Sequence, residues 1–426
     1  MSDETAGGPP AEAGRESDAA PRAGRTAGPG EGGGWLGPAV RGIGGASLLA
    51  DLGHEIPTAL LPSLLTSTLG APAAALGAIE GVADGLAGVA RLGGGALADD
   101  PARRRATAVG GYTATAVLSG LIGVAGAAWQ VGVLRTAAWA ARGLRVPSRN
   151  ALLADAVPPA AYGRAYGFER AMDNLGAIAG PLLALALLAL VGIRVAILLS
   201  IIPGLLAALA IVYAVRRLPR LEARERRPLR LRLRPVLRGR LGALLAAVSA
   251  FELGNVAATL LILRATELLS PRHGADSAAR IALVLYAGYN LAATLASPAA
   301  GHVGDRRGLV RVLAGGVLLF AAAYGVLAAT GAEIGLILAG FVLAGVGIGC
   351  VETAEHGVVA ALAPEALRGS AFGLLAAVQS IGNLAASAVA GILWTLVSPA
   401  AAFAYAAAWM LVALALLAAT AVRRRT

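Results

Sequence analysis

Gly301-His-Val-Gly-Asp305-Arg306-Arg307-Gly308 separates two long apolar runs, and 206 residues earlier Gly95-Ala-Leu-Ala-Asp99 does the same. At that offset Gly163-Arg-Ala-Tyr-Gly167 also falls on Gly369-Ser-Ala-Phe-Gly373. Two independent matches at one spacing point to an internal duplication rather than chance. Both pairs sit at loops on one side of the apolar runs, so the copies run in the same direction, as parallel repeats about an axis along the membrane normal do.

The runs themselves place the chain in a bilayer. Hydrophobic residues make up 57% of the 426 positions and charged ones 14%, with a mean hydropathy of +0.71. A spanning helix needs about 20 apolar residues. Such runs are predicted near 43–67, 72–98, 107–127, 130–156, 164–190 and 195–214, and again near 241–268, 279–303, 310–330, 334–361, 369–395 and 400–422. Helices rather than a barrel satisfy the backbone of segments this long and this uniformly apolar. The expected fold is an all-α membrane protein of twelve transmembrane helices in two six-helix halves, residues 37–215 and 241–426. Between them lies an Arg-rich cytoplasmic linker, 216–240, whose eleven arginines face only Glu222 and Glu225. Residues 1–36 are rich in Gly, Pro, Ala and charge without the apolar core of a signal peptide, and read as a disordered cytoplasmic tail.

The net charge of +11 is carried by arginine alone, since the chain has no lysine. These arginines lie between apolar runs, which speaks against a nucleic-acid partner. Arg103 to Arg105, Arg306, Arg307, Arg311 and Arg423 to Arg425 mark one side, and positive loops stay inside. Both termini are therefore expected in the cytoplasm, with the protein multi-pass in the inner (plasma) membrane. Without lysine no Gly-x-x-x-x-Gly-Lys nucleotide loop can exist. Cys350, the sole cysteine, excludes disulfides and cysteine-based metal sites and reads as a packing residue.

The loop Gly95-Ala-Leu-Ala-Asp99-Asp-Pro-Ala-Arg103-Arg104-Arg105 resembles the Gly-x-x-x-Asp-Arg-x-Gly-Arg-Arg signature of the major facilitator superfamily, and Gly301 to Gly308 is closer still. Gly176-Ala-Ile-Ala-Gly180-Pro181 resembles the glycine-rich motif of its antiporter branches. Asp51-Leu-Gly-His-Glu55 with Pro62, Pro147-Ser-Arg149-Asn150-Ala-Leu, and Leu253-Gly-Asn255 before Leu263-Arg264-Ala265 are similar to a bacterial group described as predicted, efflux-like transporters. Asp100 and Pro101 depart from the signature loop, and Tyr162 stands where the repeat has Arg368. The resemblance implies the major facilitator fold and a cytoplasmic gate. In that gate Asp99 and Asp305 pair with loop arginines, among them Arg103 and Arg306, and cap a neighbouring helix end.

Charge inside the apolar runs marks the candidate site, because a mid-bilayer Asp or Arg costs roughly 2.5–3.5 kcal/mol and needs a partner or a water-filled path. It concentrates in helices one, two, four, five, seven and ten. In the superfamily helices one, four, seven and ten line the central cavity. Asp51, His54 and Glu55 share one face of helix one by their three- and four-residue spacing. Arg135, Arg142, Arg145 and Arg149 read as one stripe on helix four, followed by Asn150. Glu80 and Asp84 with Arg91 in helix two, and Glu169, Arg170 and Asp173 in helix five, bring acids and arginines of this half to six each, so internal pairing is one reading. Glu252 and Asn255 in helix seven, and Glu352, Glu355 and His356 in helix ten, are expected to face no arginine at comparable depth. Arg264 is expected to pair with Glu267. A buried carboxyl without a cation can take up and release a proton.

These residues suggest a secondary transporter, not an enzyme, working by alternating access as a monomer on a small-molecule substrate, with no cofactor. Proton-coupled export, as an antiporter, is the favoured form. A divalent metal exporter is the alternative, because Asp51, His54, Glu55, Glu352, Glu355 and His356 are all oxygen or nitrogen ligand types. A non-transporting receptor or scaffold is a third.

Overall fold

Apolar runs bounded by Gly, Pro and Arg fold into helices because in a bilayer each backbone N–H and C=O must be satisfied within the segment. The computed structural model describes residues 34–218 and 232–422. The first half contains α1 (Pro38–Ser63), α2 (Ala73–Ala98), α3 (Pro101–Leu121), α4 (Ala128–Asp155), α5 (Tyr162–Val191) and α6 (Ile193–Arg217). The second contains α7 (Gly239–His273), α8 (Ala275–Arg307), α9 (Leu309–Ala329), α10 (Ile334–Leu362), α11 (Arg368–Leu396) and α12 (Pro399–Val422). All twelve expected spans are present as helical rods among the described residues. The expected 1–36 tail lies outside them up to residue 33, as does the linker between residues 219 and 231.

Nine rods are long and apolar enough to cross a membrane by length and composition alone. The three that fall short, α1, α2 and α4, are those that carry Asp51 and Glu55, Glu80, Asp84 and Arg91, and four arginines. Two rods differ from the single runs expected. α6 is interrupted at Ser200. α7 is broken at residues 255–257, where Asn383 Nδ2 donates to Asn255 O at 2.8 Å, the Ala257 N–H donates to Ser387 Oγ at 2.9 Å and Tyr405 OH donates to Leu253 O at 3.0 Å. Partners on α11 and α12 thus take up the backbone groups that an unbroken helix would satisfy itself.

The duplication is visible in space. Ala128 and Ile334, Tyr162 and Arg368, and Ile193 and Pro399 begin equivalent helices 206 positions apart. Equivalent segments then meet their opposite halves in the same way: α2 packs on α11, and α8 on α5. Glycine allows this approach. A Cβ on Gly95 would stand 2.7 Å from the Gly369 carbonyl oxygen, and one on Gly301 would run into the Gly163 carbonyl. At this end the halves are closed. Along the same face of α2, Gly88 still has Ser380 at 3.9 Å, whereas Gly85, Gly81 and Gly77 meet nothing within 4 Å. The halves therefore diverge toward the opposite end.

Gly95→Val should hold the closed end apart, since the obstacle is backbone that cannot rotate away. In a Cys350→Ala background, disulfide cross-linking of Arg91→Cys with Ala376→Cys reports this contact, because Arg91 Nη1 donates to Ala376 O at 2.9 Å. Cross-linking is expected to fall severalfold in Gly95→Val at normal yield of folded protein. Unchanged cross-linking would show that the crossing tolerates a side chain.

Candidate functional site

α1, α4 and α5 bring charges of the first half together in two groups, and α2 and α4 form a third. Nearer the open end, Arg142 Nη2 donates to Asp51 Oδ1 at 3.3 Å, and Arg142 Nη1 faces His54 Nε2 at 2.8 Å. His54 Nδ1 lies 3.1 Å from Asp51 Oδ1, and Nε2 lies 3.2 Å from Glu55 Oε1. The expected face of α1 is thus real, and Arg142 crosses to it from α4. With Nε2 accepting from Arg142, the ring proton sits on Nδ1, which donates to Ala50 O at 3.2 Å on its own helix beside Asp51. A second proton on Nε2 would exchange Arg142 for Glu55 as its neighbour.

Deeper, Arg149 Nη1 lies 2.7 Å from Glu169 Oε1 and 3.3 Å from Asp173 Oδ1, and it donates to Ser47 Oγ at 2.9 Å. Arg170 holds the same two acids at 2.8 and 3.0 Å. Asn150 accepts from Arg149 Nε at 3.2 Å through its side chain and from Tyr166 OH at 2.6 Å through its carbonyl. Arg135 pairs with Glu80 at 3.1 Å and stacks on Trp139, whose Nε1 donates to Asp84. The expected single stripe on α4 therefore divides. Steps of seven residues keep Arg135, Arg142 and Arg149 nearly aligned, but the three-residue step to Arg145 leaves it about 60° off that face. It meets Tyr112 on α3 instead.

Amides, not arginines, hold Glu252 and Glu355 in the second half. Asn255 Nδ2 donates to Glu252 Oε2 at 3.0 Å. Gln379 Nε2 donates to Glu355 Oε1 at 2.5 Å, while Glu355 Oε2 is buried without a partner among the described residues. Glu355 is fully buried and Glu252 nearly so. His356 turns Nδ1 toward its own helix, 2.7 Å from Glu352 O, and its ring packs against Tyr166 and Phe372, which also contact each other. Among the described residues none of these acids is in a direct ion pair with an arginine, but Arg91 lies within electrostatic reach of Glu252 and Arg170 within reach of Glu352 and Glu355, so arginines do stand at comparable depth. Arg264 donates to Leu327 O at 3.1 Å and Glu267 accepts from Trp394 Nε1, so the expected Arg264–Glu267 pair is electrostatic, without a direct bond.

At the closed end the two repeated aspartates cap opposite helices. Asp305 accepts from the Gly163 and Arg164 backbone N–H groups at 2.7 and 3.1 Å, and from Arg164 Nε at 2.7 Å. Asp99 accepts from the Ser370 N–H at 2.9 Å and its hydroxyl at 2.5 Å. A carboxylate suits these positions because the first-turn N–H groups of α5 and α11 have no partner in their own helices. The cations differ from those expected. Arg103 reaches Asp100 at 3.6 Å, not Asp99, because Asp100 is the N-cap of α3 beneath it. Arg306 is exposed on the far side of the α8 terminus, and Arg164 takes its expected place at Asp305. Asp155 adds a link that sequence reading missed, bonded to Arg104 within its half and to Arg368 across the halves at 3.1 Å. Arg368 also donates to the hydroxyl of its repeat mate Tyr162 at 2.8 Å. Burial lifts the Asp99 carboxyl above its ordinary value despite the Ser370 bonds.

A duplicated pair of cross-half caps on a twelve-helix frame agrees with the match of the Major Facilitator Superfamily model to residues 43–266 and 242–426. The chain belongs to the Major Facilitator Superfamily. An uncharacterized protein of Mycobacterium tuberculosis is 32% identical over 361 residues, covering 83% of this chain and 85% of that one. An uncharacterized MFS-type transporter of Methanocaldococcus jannaschii is 26% identical over 366 residues, 85% of this chain and 90% of that one. In fold the chain is similar to an outward-facing bacterial homologue of the iron transporter ferroportin, with a TM-score of 0.73, 15% identity and coverage of 90% and 99%. The Escherichia coli fucose:proton symporter is similar too, with a TM-score of 0.67, 16% identity and coverage of 89% and 98%. At these identities the solved structures establish the shared fold alone. Membership makes this a multi-pass membrane protein of a transporter family.

Gln379, Asn383 and Ser387 were missed as site residues because they are uncharged. Their four-residue spacing on α11 was a readable signal, since all three bond to α7 or α10.

Proposed function

We propose that the chain is a proton-coupled exporter of a small organic molecule, an antiporter whose halves rock about a site lined by α1, α4, α7 and α10. The observation that carries this reading is the contrast between the halves. The acids of α1 and α5 are held by arginine or histidine, whereas Glu252 and Glu355 are held by neutral amides deep in the second half. A carboxyl in such a place can be loaded and unloaded as access alternates, which is what coupling to a proton gradient requires. Arginine bias orients the closed end, with both termini, toward the cytoplasm of the inner membrane. The protein works as a monomer.

A metal substrate is less well supported, because the Arg142 guanidinium occupies the nitrogen of His54 that a divalent cation would need. His356 and His54 belong to separate groups. Proteoliposomes under an imposed pH gradient, offered organic cations, neutral drugs and divalent metals in turn, test the reading. Proton movement coupled to an organic compound is the expected result. Metal flux without such coupling would replace the proposal with metal export.

The capping aspartates act as the cytoplasmic gate. Asp305→Asn is expected to slow transport severalfold at wild-type expression, because an amide cannot accept from three donors as a carboxylate does. Asp99→Asn should matter less, since among the described residues Asp99 meets no guanidinium within hydrogen-bond range. Wild-type rates in Asp305→Asn would remove the gate from the mechanism.

A further inference from the structure

Next to the group formed by Asp51, His54 and Arg142, α1, α3, α4 and α6 enclose a small cavity of about 10 Å³ lined by His54, Tyr112, Thr115, Ser119, Arg145 and Ser200, with small residues completing the wall. Arg145 is 3% exposed, and its guanidinium lies 3.9 Å from the Tyr112 ring centroid. Its Nε and Nη1 have no hydrogen-bond partner among the described residues, and no described carboxylate lies within ion-pair distance. Asp51, the acid whose charge reaches it, is committed to Arg142 and His54. The hydroxyls of Tyr112, Ser119 and Ser200, each at most 2% exposed, are also without partners. Thr115 differs, since its proton is given to Gly111 O at 2.7 Å.

Five donor groups and one positive charge thus belong to residues that line one space. An uncompensated guanidinium in a low-dielectric interior is costly, as is each orphaned donor. Water could accept two of these hydrogen bonds but would bring no charge. A monovalent anion accepts from every group and supplies the missing charge, and hydrogen bonds from a cation to an anion are the strong kind. The 10 Å³ is the room in which the centre of a water-sized particle can move, which leaves space for a monatomic halide somewhat larger than water. Carboxylate, phosphate and sulfate are larger still.

We propose that this cavity is a halide site, occupied by chloride, which neutralises Arg145 and ties α3, α4 and α6 together behind α1. The site is separate from the proton-coupled centre, and its test needs no transport. Detergent-purified protein is brought to constant ionic strength in gluconate, too bulky to enter, and titrated with chloride or bromide. A saturable rise in Tm is expected with both halides. The Ser119→Ala/Ser200→Ala variant should raise the half-saturating concentration by at least about tenfold, and Arg145→Gln should abolish the response. Crystals grown in bromide should show an anomalous peak beside Arg145. Absence of both the halide-dependent shift and the peak would overturn the proposal, leaving water in the cavity. So would an equal shift in the double serine variant, which keeps the test decisive if Arg145→Gln does not fold.

Discussion

Glu355→Gln is expected to stop proton-driven transport, lowering the rate by at least about tenfold, or ~1.4 kcal/mol in the barrier, while substrate binding persists. The substituted amide has the shape of the carboxyl and can still accept from Gln379 Nε2, so the packing of α10 on α11 is preserved. What disappears is the oxygen that could take a proton, Oε2, which is buried and unpartnered among the described residues. Flux driven by a pH gradient in proteoliposomes, set beside a ligand-induced Tm shift in detergent, separates the two effects. Gradient-driven flux at the wild-type rate would exclude Glu355 as the coupling site. Loss of binding together with flux would assign Glu355 to the substrate instead. Glu252, held the same way by Asn255, is the next carboxyl to test.

Arg149→Leu is expected to produce the largest loss of stability, about 3 kcal/mol, because breaking a buried ion pair from one side leaves the other charge uncompensated. Glu169 is fully buried and Arg149 only 6% exposed. The loss is held to the lower end of the usual range because Arg170 still reaches both Glu169 and Asp173. Adding Glu169→Gln should recover part of it by removing the stranded charge. Denaturant unfolding in detergent measures both variants. A change in Arg149→Leu of the size typical of a surface pair, ~1 kcal/mol or less, would show that water reaches this cluster.

The frame was legible at the level of spans. The run expected over 334–361 is the helix Ile334–Leu362, and 369–395 is Arg368–Leu396. Hydropathy locates such segments because the bilayer rewards local composition whatever the segment packs against. The break in α7 was not legible. No proline marks residues 255–257, and the unwound backbone is stabilised by Asn383, Ser387 and Tyr405, at least 128 residues away in sequence.

The site divides along the same line. Asp51, His54 and Glu55 were predicted to share a face, and helix geometry suffices for that. Their partner Arg142 was a candidate, but which of four arginines would reach them depended on how α4 is rotated against α1. The same rotation gives Arg149 to Glu169 and leaves Arg145 beside Tyr112.

By itself the amino-acid sequence determined the number of spans, the duplication, the parallel sense of the halves and the helices that carry charge into the membrane. Each of these depends on local composition or on comparing the chain with itself. Only the tertiary structure decided which charges meet. Asp305 takes Arg164 rather than its neighbour Arg306, and Glu355 takes Gln379 rather than a cation. Hydrogen bonds act over about 3 Å, and helix rotation and packing settle which groups come that close.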